Sequence, residues 1–292
     1  MELSLAFNAS DTIEGLLNKA KTALSASSKL CFHEPALEAR LLLEHAMGKS
    51  HTWLITHGDE CVEVNQLALF TQYIEERLSG KPVSFILGTQ DFWSLRLNVS
   101  PCTLIPRQDT EVLVETALSL AVTEKAKVLD LGTGTGAVAL ALASEKPEWH
   151  LTGLDKIPEA VELAKTNAQL NKLKVCFKQS DWFSALNSDT KFDLIVSNPP
   201  YVEENNECLT QGDVRYEPLS ALISGADGLN DIRYIIEQAP LYMNSLAWIA
   251  FEHGYEQAQS IRTLLNEKGF IHAKTYQDYN NLDRVTVAQY LS

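Results

Sequence analysis

Much that would place this chain at a glance is missing from it. No apolar run approaches the length of a bilayer-crossing helix, so no membrane association is expected. The opening Met1-Glu2-Leu3-Ser4 has no basic stretch followed by an apolar core, so no secretory signal is read there. The five cysteines (Cys31, Cys61, Cys102, Cys176 and Cys208) are odd in number and scattered, without a CxxC pair. That usage fits reduced thiols in a cytoplasmic protein. The seven histidines show no ligand spacing with one another or with cysteine, so no metal is expected. Positive charge is scarce as well: 24 Lys and Arg stand against 38 Asp and Glu, a net of −14. Residues 1–85 are acidic, and so is the remainder. Proteins that grip nucleic acid through phosphates normally display a basic stripe. A direct nucleic-acid substrate is therefore not expected.

What is present is a two-part pattern over 292 residues. Residues 1–82 read as a helical N-terminal domain. Ile13, Leu16, Leu17, Ala20 and Leu24 make one apolar stripe. Pro35 suits the first turn of a second helix, with Leu37, Leu41 and Leu42 inward and Gly48 as its stop. Trp53, Leu54 and Ile55 suggest a short third piece. Leu67, Phe70, Ile74 and Leu78 mark a further helix, closed by Gly80-Lys81-Pro82. This domain carries no catalytic constellation, and stabilising its neighbour or recognising a partner are equally open to it. Residues 83–105 then favour extended structure, with Val83–Leu87 and Phe92–Val99 around Gly88, and predict a β-hairpin linker.

Residues 106–292 alternate strand and helix, the mark of an α/β doubly wound sheet. Strands are expected at 127–131, 150–154, 174–178, 192–197, 246–251, 270–276 and 284–290. Helices are expected at 136–145, 158–171, 228–244 and 255–267. Asp109 or Thr110 is placed to cap a helix through Leu113, Val114 and Ala117.

Two stretches carry chemistry. In Phe192-Asp193-Leu194-Ile195-Val196-Ser197-Asn198-Pro199-Pro200-Tyr201 a doubly buried strand runs into two prolines, neither of which has an N–H for a neighbouring strand. The corner is stiff, because residues preceding proline avoid the helical region. It leaves backbone carbonyls at Asn198 and Pro199 beside the Asn198 side-chain oxygen, with the Tyr201 ring following. Such an acceptor pair suits a planar NH2 group. In Val128-Leu129-Asp130-Leu131-Gly132-Thr133-Gly134-Thr135-Gly136-Ala137 a buried strand enters a glycine turn and then a helix. Ligands of open α/β sheets bind where this turn lies, and Asp155 ends the next strand, placed for two ribose hydroxyls. Gly132, Gly134 and Ala137 also satisfy the dinucleotide fingerprint. Asp130 tilts the choice: it would repel a pyrophosphate but suits the ammonium end of S-adenosylmethionine. The acceptor corner, besides, has no role in hydride transfer. Asp181 and Trp182 could hydrogen-bond and stack an adenine.

Taken together, the run DLGTGTGA, then SNPPY, then Val214-Arg215-Tyr216-Glu217-Pro218 resembles the peptide chain release factor N5-glutamine methyltransferase family. Ile105-Pro106-Arg107 with Asp109-Thr110-Glu111 agrees, as do Glu252-His253-Gly254-Tyr255, Asp278-Tyr279 and Arg284-Val285-Thr286. Two positions depart from the family pattern: Gln108 stands where proline is common, and Asn280-Asn281 replace a glycine-containing turn. Both are read as loop changes without loss of activity.

The resemblance implies a class I S-adenosylmethionine-dependent methyltransferase fold, Rossmann-like with the last strand antiparallel, behind a small all-α domain that recognises substrate. It implies methyl transfer to the side-chain amide of the glutamine in the Gly-Gly-Gln motif of release factors, with S-adenosylhomocysteine as product. Gly132, Thr133, Gly134, Thr135, Gly136, Asp155, Asp181, Trp182 and Asn198 would contact the cofactor. Asn198, Pro199, Pro200 and Tyr201 would hold the glutamine, with Asn198, Pro199 and Tyr201 catalytic. Arg107 and Arg215 are read first as loop braces. The competing assignment is an N6-adenine DNA or RNA methyltransferase, which needs the same corner for its exocyclic amine.

Overall fold

The computed structural model describes residues 7–28, 30 and 34–291, and these divide into two compact units. One takes the chain up to Gly88 together with Glu207–Tyr216; the other takes Thr89–Asn206 and Glu217 onward. The opening residues and Cys31 lie outside the described residues.

In the first unit, α1 (Ile13–Ser25) starts where the Thr12 hydroxyl accepts from the Gly15 N–H at 3.2 Å. Ile13, Leu16, Ala20 and Leu24 are buried, as the stripe predicts, with Leu17 partly so. Helix α2 (Pro35–Met47) has proline in its first turn and ends at Gly48, whose φ of 62° only glycine adopts without strain. Its buried face is set differently from the expectation. Ala39, Leu42, Leu43 and Ala46 form the i, i+3, i+4, i+7 set, which turns Leu37 outward. Helices α3 (His51–Thr56) and α4 (Val64–Ser79) complete the set, Leu54, Phe70 and Ile74 filling the core. Val83–Leu87 is helical (α5), not extended. Pro82 precedes it and Gly88 ends it in the left-handed region, and these punctuators outweigh the strand preference of Val, Phe and Ile.

Arg77, in the last turn of α4, is 1% exposed. Its guanidinium donates to both carboxylate oxygens of Glu38, at 2.9 and 3.0 Å, and to Asp213 at 2.8 Å. The Tyr216 hydroxyl donates to the Ser79 carbonyl at 3.0 Å. Glu207–Tyr216 is held to the helices by these bonds, although it follows the acceptor corner in sequence.

The second unit opens with the hairpin β1 (Thr89–Phe92) and β2 (Leu95–Asn98). Asn167 fixes it, its amide accepting from the Asn98 N–H at 2.7 Å and donating to the Asn98 carbonyl at 3.0 Å. Helix α6 (Glu111–Ser119) follows a 3-10 turn over Gln108–Thr110. Then come β3 (Lys127–Leu131), α7 (Ala137–Glu145), β4 (His150–Asp155), α8 (Pro158–Leu170), β5 (Cys176–Gln179), β6 (Phe192–Ser197), α9 (Asn230–Gln238), β7 (Met243–Glu252), α10 (Ala258–Glu267), β8 (Phe270–Gln277) and β9 (Asp283–Tyr290). The expected helix over 228–244 stops early. Pro240 sits in a 3-10 turn over Ala239–Tyr242, and β7 begins directly after it.

The seven strands lie in the order β5-β4-β3-β6-β7-β9-β8. All neighbours from β5 to β7 pair in parallel, and β9 runs antiparallel to both β7 and β8. Strand β6 is buried on both faces: Leu194 and Val196 enter one core with Val128 and Ala250, and Ile195 enters the other with Leu129 and Ile249. The Ser197 hydroxyl donates to the Leu131 carbonyl at 2.7 Å, joining the ends of β6 and β3. In the turn after β8, Asn281 takes φ 61° while Asp278 accepts from the N–H groups of Asn280 and Leu282. An Asn tolerates this conformation better than most residues.

Candidate active site

A cavity of about 220 Å³ opens at the carboxyl ends of β3, β4, β5 and β6, all within the second unit. Gly132, Gly134 and Gly136 all have positive φ, so the chain after β3 can turn tightly and present backbone to the cavity. A Cβ on Gly132 would sit 3.6 Å from the Trp182 ring, so a larger side chain would fill the cleft between loop and ring. Trp182 itself is held at φ 48°, an uncommon conformation for an aromatic residue, and the Ser180 hydroxyl donates to its carbonyl at 2.7 Å.

Asp130 faces the cavity at 2% exposure. Burial pushes its carboxyl up to about 7, against the pull of the Thr133 hydroxyl, which donates to it at 2.6 Å, and of the Ala139 N–H. Asp155 accepts from the Gly134 N–H and the Ile157 N–H, each at 2.9 Å. Burial raises its carboxyl too, opposed by those two bonds. Each of its oxygens retains a further acceptor site. Asp181 is exposed at the cavity edge. Thr133 and Thr135 are buried in its wall.

At the end of β6, Asn198 and Pro200 line the cavity, but Pro199 and Tyr201 are not among its lining residues. Tyr201 is committed elsewhere. Its hydroxyl donates to Glu252 Oε1 at 3.2 Å, and its carbonyl accepts from Gln257 at 3.0 Å. The Asn198 amide nitrogen donates to the Thr110 hydroxyl at 3.2 Å. Thr110 makes no side-chain cap on α6, contrary to the expectation, because it already has helical backbone angles and not the extended ones of a capping residue. Arg107 pairs with Glu217 at 2.6 Å, the bracing role read for it. Sequence reasoning gives Thr110 and Glu252 no role in the site. The signal for Glu252 was a carboxylate ending an apolar strand run, Ala250-Phe251-Glu252, which a core does not tolerate without purpose. No group of His, Cys, Asp and Glu able to hold a metal occurs among the described residues.

The family description PrmC N-terminal domain matches residues 15–88, and Methyltransferase small domain matches residues 108–213. A Release factor glutamine methyltransferase from Vibrio cholerae is 49% identical over 280 residues, 96% of this chain and 97% of that protein. The chain belongs to the release factor glutamine methyltransferase family. The proteins of that name from Pseudomonas aeruginosa and Escherichia coli are 48% and 42% identical, over 87% and 94% of this chain and 92% and 97% of their own lengths. Among solved structures, a methyltransferase from Pyrococcus furiosus aligns with a TM-score of 0.52 at 16% identity, over 68% of this chain and 91% of that one. The hMettl16 catalytic domain aligns with 0.52 at 15%, over 68% and 77%. These structural likenesses concern the fold alone. For a member of this family, the fold is that of a class I methyltransferase, with one reversed strand, β9, between β7 and β8.

Proposed function

We propose that this protein transfers a methyl group from S-adenosylmethionine to the side-chain amide nitrogen of the glutamine in the Gly-Gly-Gln motif of peptide chain release factors. The observation that carries this reading is Asn198 at the cavity wall, its nitrogen taken by Thr110 and its Oδ1 left to accept from a substrate. The cavity suits the cofactor on its own chemistry: a buried carboxylate with no cation beside it, a glycine turn under an indole, and a second carboxylate with acceptor sites to spare. Asp130 would face the ammonium group and Asp155 the ribose hydroxyls. Asp181 and Trp182 would take the adenine, with Gly132 to Gly136 backing the rest. When bound, the cofactor supplies an electrophilic methyl on sulfur and leaves as S-adenosylhomocysteine.

An amide nitrogen is a weak nucleophile because its lone pair is delocalised into the carbonyl. Asn198 Oδ1 and the Pro199 carbonyl would each accept one N–H, fixing the NH2 plane and raising electron density on nitrogen. Both acceptors strengthen as positive charge develops on that nitrogen, which is the differential binding that lowers a barrier. The stiff proline corner supplies alignment. The N–C bond forms as the S–C bond breaks, and the proton leaves the methylated amide for water, so no side-chain base is required. Tyr201 would brace the corner through Glu252.

Mass spectrometry of a release factor incubated with the protein and cofactor tests the reading. One added methyl on the motif glutamine is expected. Methylation of adenine in DNA or RNA, with the release factor untouched, would replace it.

A further inference from the structure

Three strands end in one row beside the cavity. Leu154 of β4, Leu131 of β3 and Ser197 of β6 are register partners, and each of the two pairs is the last in its ladder. One residue further along each chain segment stands a part of the candidate site: Asp155, Gly132 and Asn198, all three lining the cavity.

Past this row the ladder between β3 and β6 stops. The N–H groups of Gly132 and Thr133 both turn to the Leu154 carbonyl, at 2.9 Å each, which ties the glycine loop to β4. On the other side Pro199 and Pro200 have no N–H to give, and the corner leaves the sheet. At the point of divergence the fully buried Ser197 hydroxyl donates to the Leu131 carbonyl at 2.7 Å. A hydroxyl at the end of so apolar a strand costs free energy unless it is bonded, a demand that alanine would not make. What the bond joins is the last residue before the corner and the last residue before the loop.

We propose that Ser197 is a positioning residue that sets the spacing between the acceptor corner and the cofactor loop, and with it the distance from the substrate nitrogen to the methyl on sulfur. This rests on the methyl-transfer reading above and deepens it. Ser197 is not among the residues lining the cavity and acts through its neighbour Asn198.

The test compares Ser197→Ala and Ser197→Cys with wild type in the full chain, with release factor as methyl acceptor and calorimetry of S-adenosylhomocysteine binding. Activity is expressed per binding site counted by calorimetry, so that a partly folded preparation does not pass for a slow one. A misplacement of about 1 Å at the reacting atoms can cost on the order of 100-fold in rate. Ser197→Ala is expected to lower kcat roughly 10- to 100-fold, with KM for release factor and product affinity within about threefold of wild type, because the loop keeps its own bonds to Leu154. Ser197→Cys keeps a weaker donor at the same place and should fall less. Wild-type kcat in the Ala variant overturns the proposal whatever its melting temperature, since the bond would then serve stability alone. A loss of product affinity as large as the loss of kcat overturns it too, the loop itself having moved. So does a Cys variant slower than Ala, the site then answering to side-chain size and not to the bond. Should Ala yield no binding sites at all, Cys is set against wild type by the same two readouts: a lower kcat with affinity kept upholds the proposal, and wild-type kcat overturns it. A release factor left unmethylated by the wild-type protein instead fails the functional reading, and this proposal with it.

Discussion

At the scale of single residues, the proposed reading gives two cavity carboxyl groups, Asp130 and Asp155, different tasks. Asp130 rises from 3.8 to about 7 because burial outweighs its bond from Thr133. An acid whose folded value exceeds its unfolded one costs nothing below about 4 and progressively more as pH climbs to 7, about 4 kcal/mol in all. Asp130→Asn should therefore raise the melting temperature of the cofactor-free protein at pH 8, the gain shrinking towards pH 4. Binding runs the other way. The ammonium group needs the ionised acid, so S-adenosylhomocysteine affinity in wild type should improve from pH 6 to pH 8 and flatten above the titration, a slope the Asn variant lacks in calorimetry. Asp155→Ala should weaken the same ligand without moving the slope, and unchanged affinity would remove Asp155 from the ribose. Asn198→Ala should nearly abolish methyl transfer with ligand affinity kept; normal turnover would discard the acceptor-pair mechanism.

At the scale of elements, the strands were plain from sequence wherever apolar runs met glycine or proline: β3, β6 and the corner after it stand where periodicity placed them. Helix ends were less legible. Leu37 faces out because a helix's buried face depends on where its partners lie, and periodicity alone leaves neighbouring phases nearly equal. Val83–Leu87 coiled because punctuation beat propensity in so short a piece. The glycine loop and Asn198 were legible since their chemistry is local. The Tyr201–Glu252 bond was not, because it joins β6's exit to the end of β7 across 51 positions. Burial pushes both of its groups up, with Glu252's charge adding to the rise at Tyr201. Tyr201→Phe removes the donor from a buried acceptor and should cost about 1–3 kcal/mol in urea unfolding. A cost near zero would show the bond to be idle.

At the scale of the whole molecule, Arg77 is the least anticipated residue. It stands in the last turn of α4, where the apolar stripe gives no reason to expect a buried cation. Instead it is buried between Glu38 and Asp213, with hydrogen bonds and attraction from both holding its charge in place against burial. Arg77→Ala should cost about 3–5 kcal/mol in stability, because Glu38 is left nearly buried without its partner. Asp213→Asn should cost under about 1 kcal/mol, since Asp213 is 45% exposed and water screens it. Equal costs for the two variants would contradict this ranking.

The passage of Glu207–Tyr216 into the helical unit has a consequence for inheritance and engineering. A chimaera that exchanges only the leading residues between two relatives would leave Asp213 and Tyr216 facing a foreign surface, so a working graft must carry that distant stretch along with them.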